Sequence, residues 1–181
     1  MKRVFACVLA VSALAAPAYA KLEAGAKAPM FDTQASMAGK AFAFSLKDSL
    51  KKGPVVLYFY PAAFTPGCTA EAHEFSENVD SFKKAGATIV GVSADKIDVL
   101  NKFSTEVCRD KFAVAADGDG AIIKSYDAVS TGNPARSSRT SYVIAPTGEI
   151  IYSYSDPNYA KHVSNTMEAV QAWAAAHPKK G

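Results

Sequence analysis

Cysteine and histidine are scarce in this chain: 181 residues hold three of each. No two cysteines stand as Cys-x-x-Cys, so the paired thiols that open the helix of a thiol–disulfide oxidoreductase are missing. His73, His162 and His177 share no spacing with the cysteines that would hold a metal ion, so no metal or other cofactor is expected. A charge excess is missing too. Twenty basic against seventeen acidic residues give a formal +3, which points neither to nucleic acid nor to an anionic membrane surface. There is no internal repeat, no linker and no low-complexity block. One acidic loop, Asp117-Gly118-Asp119-Gly120, fails as a calcium loop. With Gly120 in the sixth place, Ala115 and Tyr126 fall where the first and twelfth ligands belong, and the segment reads as a turn.

The apolar stretch at residues 4–16 is too short to span a bilayer. It follows the basic Met1-Lys2-Arg3 and precedes the small-x-small Ala18-Tyr19-Ala20, the three-part pattern of a secretory signal cleaved before Lys21. That reading divides the chain into a leader, 1–20, and one domain, 21–181, located in the periplasm or outside the cell. Cys7 leaves with the leader, as do Lys2 and Arg3, which lowers the formal charge from +3 to +1. The remaining 161 residues of the 181 suffice for one core. They retain Cys68 and Cys108. In an oxidising compartment an even pair suggests a disulfide, and a chain of this length needs no structural staple, which favours a catalytic one.

The chemistry centres on residues 60–71. Before them, Val55-Val56-Leu57-Tyr58-Phe59-Tyr60 is β-branched, aromatic and short, a buried central strand. After them a helical period runs from Pro66 to about Ala85. Thr65 then Pro66 reads as an N-cap with proline at the first helical position, which makes Cys68 the third helical residue. A thiol there lies among unpaired backbone N–H groups at the positive end of the helix dipole, a setting that favours negative sulfur. The Thr65 hydroxyl is expected to turn toward the third-position N–H, beside that sulfur. Pro61 ends the strand. Glu71 reads as a carboxylate on the helix face one turn beyond the cysteine, and His73 as an exposed polar residue.

The rest of the chain supplies the frame. A hairpin is expected around Met37-Ala38-Gly39-Lys40, a core strand over 88–92, and a helix over 97–109 capped by Ser93 or Asp95. That helix carries Ile97, Leu100, Phe103 and Val107 on its apolar side, with Cys108 at the border of this face, within reach of solvent. A short strand over 112–115 and a brief helix over 122–126 come next. Strands 140–145 and 149–154 form a second hairpin through Pro146-Thr147-Gly148, and a helix over 159–176 closes the chain. This order is that of an α/β, thioredoxin-like fold, a central mixed β-sheet flanked by helices, with an N-terminal β-hairpin extension.

Pro61-x-x-x-Thr65-x-x-Cys68, in the longer setting of Tyr58-Phe59-Tyr60-Pro61 and Thr65-Pro66-Gly67-Cys68-Thr69-Ala70-Glu71-Ala72, resembles the active-site signature of the peroxiredoxins. The closer likeness is to their Q-type branch, the bacterioferritin comigratory proteins. The similarity extends from Gly25-Ala26-Lys27-Ala28-Pro29-Met30-Phe31 to the last helix. It implies a thiol peroxidase acting on hydrogen peroxide and organic hydroperoxides, with Cys68 as the attacking thiolate, Thr65 positioning the peroxide and Pro61 shielding the sulfur from water. Such chemistry needs a cation for the developing negative oxygen. Arg139-Thr140-Ser141-Tyr142-Val143-Ile144 resembles the family's arginine-led strand, so Arg139 is preferred to Arg136. Many Q-type members carry a second cysteine five residues after the first, where this chain has His73. Some place it instead in the helix that here carries Cys108, which makes Cys108 the expected resolving cysteine. The expected reductant is a thioredoxin-like or glutaredoxin-like protein or a small thiol, and the expected assembly a monomer or weak homodimer. Three alternatives stay open: a one-cysteine peroxidase resolved by an external thiol, a thiol–disulfide oxidoreductase, and a non-enzymatic redox-responsive binding protein.

Overall fold

The computed structural model describes residues 21–178; the expected leader, 1–20, lies outside the described residues. Seven strands form one sheet: β1 (Asp32–Met37), β2 (Lys40–Ser45), β3 (Val55–Phe59), β4 (Thr88–Ser93), β5 (Ala113–Ala116), β6 (Thr140–Ile144) and β7 (Ile150–Ser155). Their spatial order is β2-β1-β5-β4-β3-β6-β7. β3 and β5 run parallel to β4, and the remaining pairs are antiparallel. Five α-helices join them: α1 (Leu46–Leu50), α2 (Pro66–Lys84), α3 (Ile97–Glu106), α4 (Ala121–Ser125) and α5 (His162–Ala176), the last preceded by a single 3₁₀ turn, Tyr159–Lys161. This is the mixed-sheet thioredoxin-like α/β fold. The N-terminal hairpin is part of the sheet, joined through β1 and β5.

All five residues of β3 are buried, as expected of a central strand covered on both faces. On one face Leu57 and Phe59 pack with Val90, Tyr126 and Tyr142. On the other, Tyr58 and Tyr60 meet Phe75, Phe103 and Phe112, with the Tyr58 and Phe75 rings stacked 4.4 Å apart. Tyr58 reaches across β4 at Gly91, where a Cβ would come within 2.8 Å of its ring. The neighbouring strand therefore has room only for glycine.

Helix α3 begins at Ile97 as expected but departs from expectation in its cap and at its far end. Its N-cap is Lys96, without a side-chain bond, because Ser93 donates to Asp95 and Asp95 is held by the loop after β3. It stops at Glu106 rather than Arg109. The N–H groups of Val107 and Cys108 both reach the Phe103 carbonyl at 3.0 Å, and Arg109 and Asp110 take left-handed backbone, φ 54° and 60°. Cys108 thus leaves the helical wheel and turns inward. It is fully buried with Phe103, Phe112 and Val114, which corrects the expectation of a residue at the solvent border.

Candidate active site

The site is built where β3 hands over to α2. Phe64 has left-handed backbone, φ 63°, and its ring packs edge-on against Phe103 at 5.2 Å. This folds residues 61–64 into a tight loop. Thr65 follows as the N-cap with Pro66 opening the helix, in line with the sequence. Its hydroxyl does not cap, however. It donates to the Ala62 carbonyl at 3.0 Å inside the loop. The first-turn N–H groups have no intrahelical partners, so they stay available to an anionic or polar ligand at the positive end of α2.

Cys68, in that first turn, is 1% exposed. Arg139, one residue ahead of β6, donates to its sulfur from Nη2 at 3.5 Å. The guanidinium is fixed on its other sides by the Pro157 carbonyl, 3.2 Å from Nε, and by an ion pair from Nη1 to Glu71 Oε2. Gly67 leaves the room for this approach, since a Cβ there would stand 3.2 Å from Nη2. Burial works against the charge of Arg139, but Glu71 and Cys68 outweigh it and hold the guanidinium protonated. Glu71 is wholly buried, and burial pushes its carboxyl up to about 8 against the pull of Arg139.

Arg136 serves a different place. It pairs with Asp95 at 2.7 Å and lies 3.5 Å from the Pro61 carbonyl. The other Asp95 oxygen accepts from the Ala63 N–H at 2.7 Å and the Ser93 hydroxyl at 3.0 Å. Arg136 and Asp95 therefore brace the Pro61 loop from outside and do not touch the sulfur. A cleft of about 280 Å³ between Pro61, Thr131, Arg139 and Pro157 opens beside the guanidinium.

The structure brings together Cys68, Arg139 and Glu71, with Thr65 and Pro61 at the rim. Cys108 lies apart, and both thiols are free. The turn that carries it is held to α2 by Lys111 Nζ on the Ser76 carbonyl at 3.1 Å and by Arg109 near Glu77 at 3.7 Å. Ser76 is eight residues beyond Cys68, roughly 12 Å along the helix axis. Burial, helped by Asp110, drives the Cys108 thiol far above its ordinary range.

Three participants escape a reading of the sequence: the ion pair of Glu71, the brace of Asp95, and His162. A helical i, i+3 relation does place Glu71 on the face of Cys68, a signal that could have raised its standing. His162 is fully buried behind Glu71, 3.8 Å from it. His73 is half-buried on α2 rather than exposed as expected. Among the described residues no group of histidine, cysteine and carboxylate side chains could hold a metal, and no helix is long and apolar enough to cross a membrane.

Known proteins resemble this chain along most of its length. The model of the AhpC/TSA family matches residues 24–153. The chloroplastic peroxiredoxin Q of Oryza sativa subsp. japonica is 31% identical over 153 residues, 84% of this chain and 68% of its own length. Peroxiredoxin Bcp of Xanthomonas campestris pv. campestris is 30% identical over 125 residues, 66% of this chain and 78% of its own. Among solved structures, the crystal structure of peroxidoxin BcpB from Mycobacterium tuberculosis superposes with a TM-score of 0.76 at 28% identity, covering 83% of this chain and 97% of the other.

Proposed function

Since the chain belongs to the AhpC/TSA family, in the branch of the Q and Bcp peroxiredoxins, we propose that it reduces hydrogen peroxide and organic hydroperoxides through Cys68. The observation that carries this is the guanidinium of Arg139, held 3.5 Å from a buried cysteine at a helix start. The Cys68 thiolate attacks one peroxide oxygen and the O–O bond breaks. Sulfur is oxidised to a sulfenic acid, and the other oxygen leaves as an alkoxide or hydroxide that takes a proton. Arg139 and the first-turn N–H groups stabilise the charge passing from sulfur to the leaving oxygen. Thr65 donates inward to Ala62, so toward a peroxide its hydroxyl offers only an acceptor.

Cys108 is the proposed resolving thiol. It attacks the sulfenic sulfur, forming the disulfide and expelling water, and a thioredoxin-like or glutaredoxin-like protein or a small thiol then reduces the bond. A disulfide needs α-carbons within about 7 Å, so the first turns of α2 or the Cys108 turn must unwind. The burial of Cys108 favours the second reading, a one-cysteine peroxidase resolved from outside. Stopped-flow reaction of the reduced protein with peroxide, beside Cys68→Ser, tests the peroxidase reading: no fast phase in the parent protein overturns it. Peptide mapping after one equivalent of peroxide should find a Cys68–Cys108 link. Full turnover of Cys108→Ser with a thioredoxin-type reductant would leave the one-cysteine route instead. We place the protein in the periplasm after cleavage before Lys21, so mass spectrometry of exported protein should find Lys21 at the amino terminus. Active protein retaining residues 1–20 in the cytoplasm would refute that address.

A further inference from the structure

One oxygen in the site has no donor. Arg139 takes Glu71 Oε2, whereas Oε1 is buried with no hydrogen-bond partner. Behind it lies His162, fully buried, with Nδ1 3.8 Å from Oε1. The ring is pinned on two sides: Nε2 is 3.0 Å from the Asp156 carbonyl, and Nδ1 is 2.8 Å from the Ser141 hydroxyl. A carbonyl only accepts, so Nε2 carries the hydrogen and Nδ1 is a lone pair that takes the hydroxyl proton of Ser141. The tautomer set by Asp156 therefore offers Glu71 no proton. A carboxylate oxygen buried without a donor is the costly form of the group. With a proton on Oε1 the carboxyl is neutral, and the cost of burying an unpaired charge falls away.

We propose, on the peroxidase reading above, that Ser141 and His162 are positioning residues that keep Glu71 a neutral acid around neutral pH. Arg139 then brings its positive charge to Cys68 undivided. The charged and titratable groups around Glu71 are Arg139, His162 and Glu74, with Tyr58 reaching it from β3. Of these only Arg139 favours ionisation, and burial outweighs it. His162 cannot take over the proton. Burial holds its ring at about 4, with Arg139 adding to the effect and the Asp156 carbonyl opposing it. The Tyr154 ring closes its remaining side edge-on at 4.8 Å. When Glu71 does ionise, the guanidinium is shared between two anions and its pull on the sulfur weakens.

The test combines kinetics with infrared spectroscopy. The wild-type rate constant for peroxide should fall several-fold as pH rises through about 8. Glu71→Gln, neutral at every pH, should lack that falling limb, whereas Glu71→Ala should be slow throughout. His162→Gln, whose amide can donate to Oε1, should move the limb to lower pH. Difference infrared spectra should show a protonated-carboxyl C=O band in the wild type at neutral pH that fades through the same range and is absent from Glu71→Gln. A falling limb that persists in Glu71→Gln, a limb unmoved in His162→Gln, or no carboxyl band at neutral pH would each overturn the proposal. The wild-type band needs no variant to fold. It also reads the proton on Glu71 whether or not peroxide is consumed, so it separates failure of this proposal from failure of the peroxidase reading.

Discussion

The buried pair behind the cysteine writes itself into the pH dependence of stability. Glu71 moves on folding from an ordinary 4.5 up to about 8, so the stability it contributes is full below 4.5 and is lost as pH rises toward 8. His162 moves from 6.5 down to about 4, so its contribution is full above 6.5 and is lost as pH falls toward 4. Between about 4.5 and 6.5 the two slopes cancel, because folding carries one proton from the imidazole to the carboxyl and leaves the total unchanged. Above 6.5 only Glu71 still titrates differently in the two states. Over the pH unit and a half to 8, at about 1.4 kcal/mol per unit, the folded state should lose about 2 kcal/mol. Glu71→Gln deletes that term alone and exposes the opposite one: its stability should rise by about 3 kcal/mol from pH 4 to 6.5 and then stay level. Urea unfolding of the reduced protein, followed by circular dichroism across this range, gives both curves, and other titrating groups drop out of the difference. If the two proteins run parallel from pH 6.5 to 8, Glu71 is not protonated in the folded state and the reasoning is wrong.

Four other substitutions test the surroundings of the sulfur and the packing of the sheet beneath it. Arg139→Ala removes a charge-assisted contact worth about 1.5–3 kcal/mol and should slow the first oxidation ten-fold or more. Arg136→Ala, which only loosens the Asp95 brace, should cost clearly less, and equal losses in stopped-flow would refute the assignment. Gly67→Ala puts a methyl 3.2 Å from Arg139 Nη2, so it should slow peroxide reduction while leaving the melting temperature close to the parent's; a wild-type rate would show that the guanidinium has slack. Gly91→Ala drives a methyl to 2.8 Å from the Tyr58 ring and should cost on the order of 1–3 kcal/mol in urea unfolding, and a neutral result would mean that β3 and β4 shift easily.

Much of this architecture is legible in the order of residues. The apolar run of β3, the Thr65-Pro66 start of α2 and the turn at Ala38-Gly39 each carry a local signal that the fold obeys. What fails to show is whatever depends on a partner distant in the chain. Glu71 and His162 each look like helix-surface polar residues until β6 and the Asp156–Pro157 segment close over them. Ser141 lies 21 residues from His162 in sequence yet 2.8 Å from it in space. Cys108 escapes its helical phase for a local reason. That phase holds only while the helix lasts, and the helix stops at Glu106 ahead of left-handed Arg109 and Asp110, with no glycine to announce the break.

These features meet in the first turns of α2. Phe75, Val79 and Phe82 anchor the later part of the helix, so the segment free to unwind toward Cys108 is the one that carries Cys68 and Glu71. On the resolving-thiol reading, disulfide formation takes Glu71 out of its pocket and returns its carboxyl from about 8 toward an ordinary 4.5. A proton held at neutral pH is then released. The thiol chemistry does the opposite: a thiolate, a thiol and a peroxide yield a disulfide, water and an alkoxide that takes up one proton. Wild-type protein oxidised at pH 7 in weak buffer should therefore take up close to one proton fewer per disulfide than Glu71→Gln, read with a pH indicator against added acid. Equal uptake, with the Cys68–Cys108 link confirmed in both, would mean that Glu71 stays buried in the oxidised state. The helix would then have to bring the sulfurs together without unwinding past its first turn.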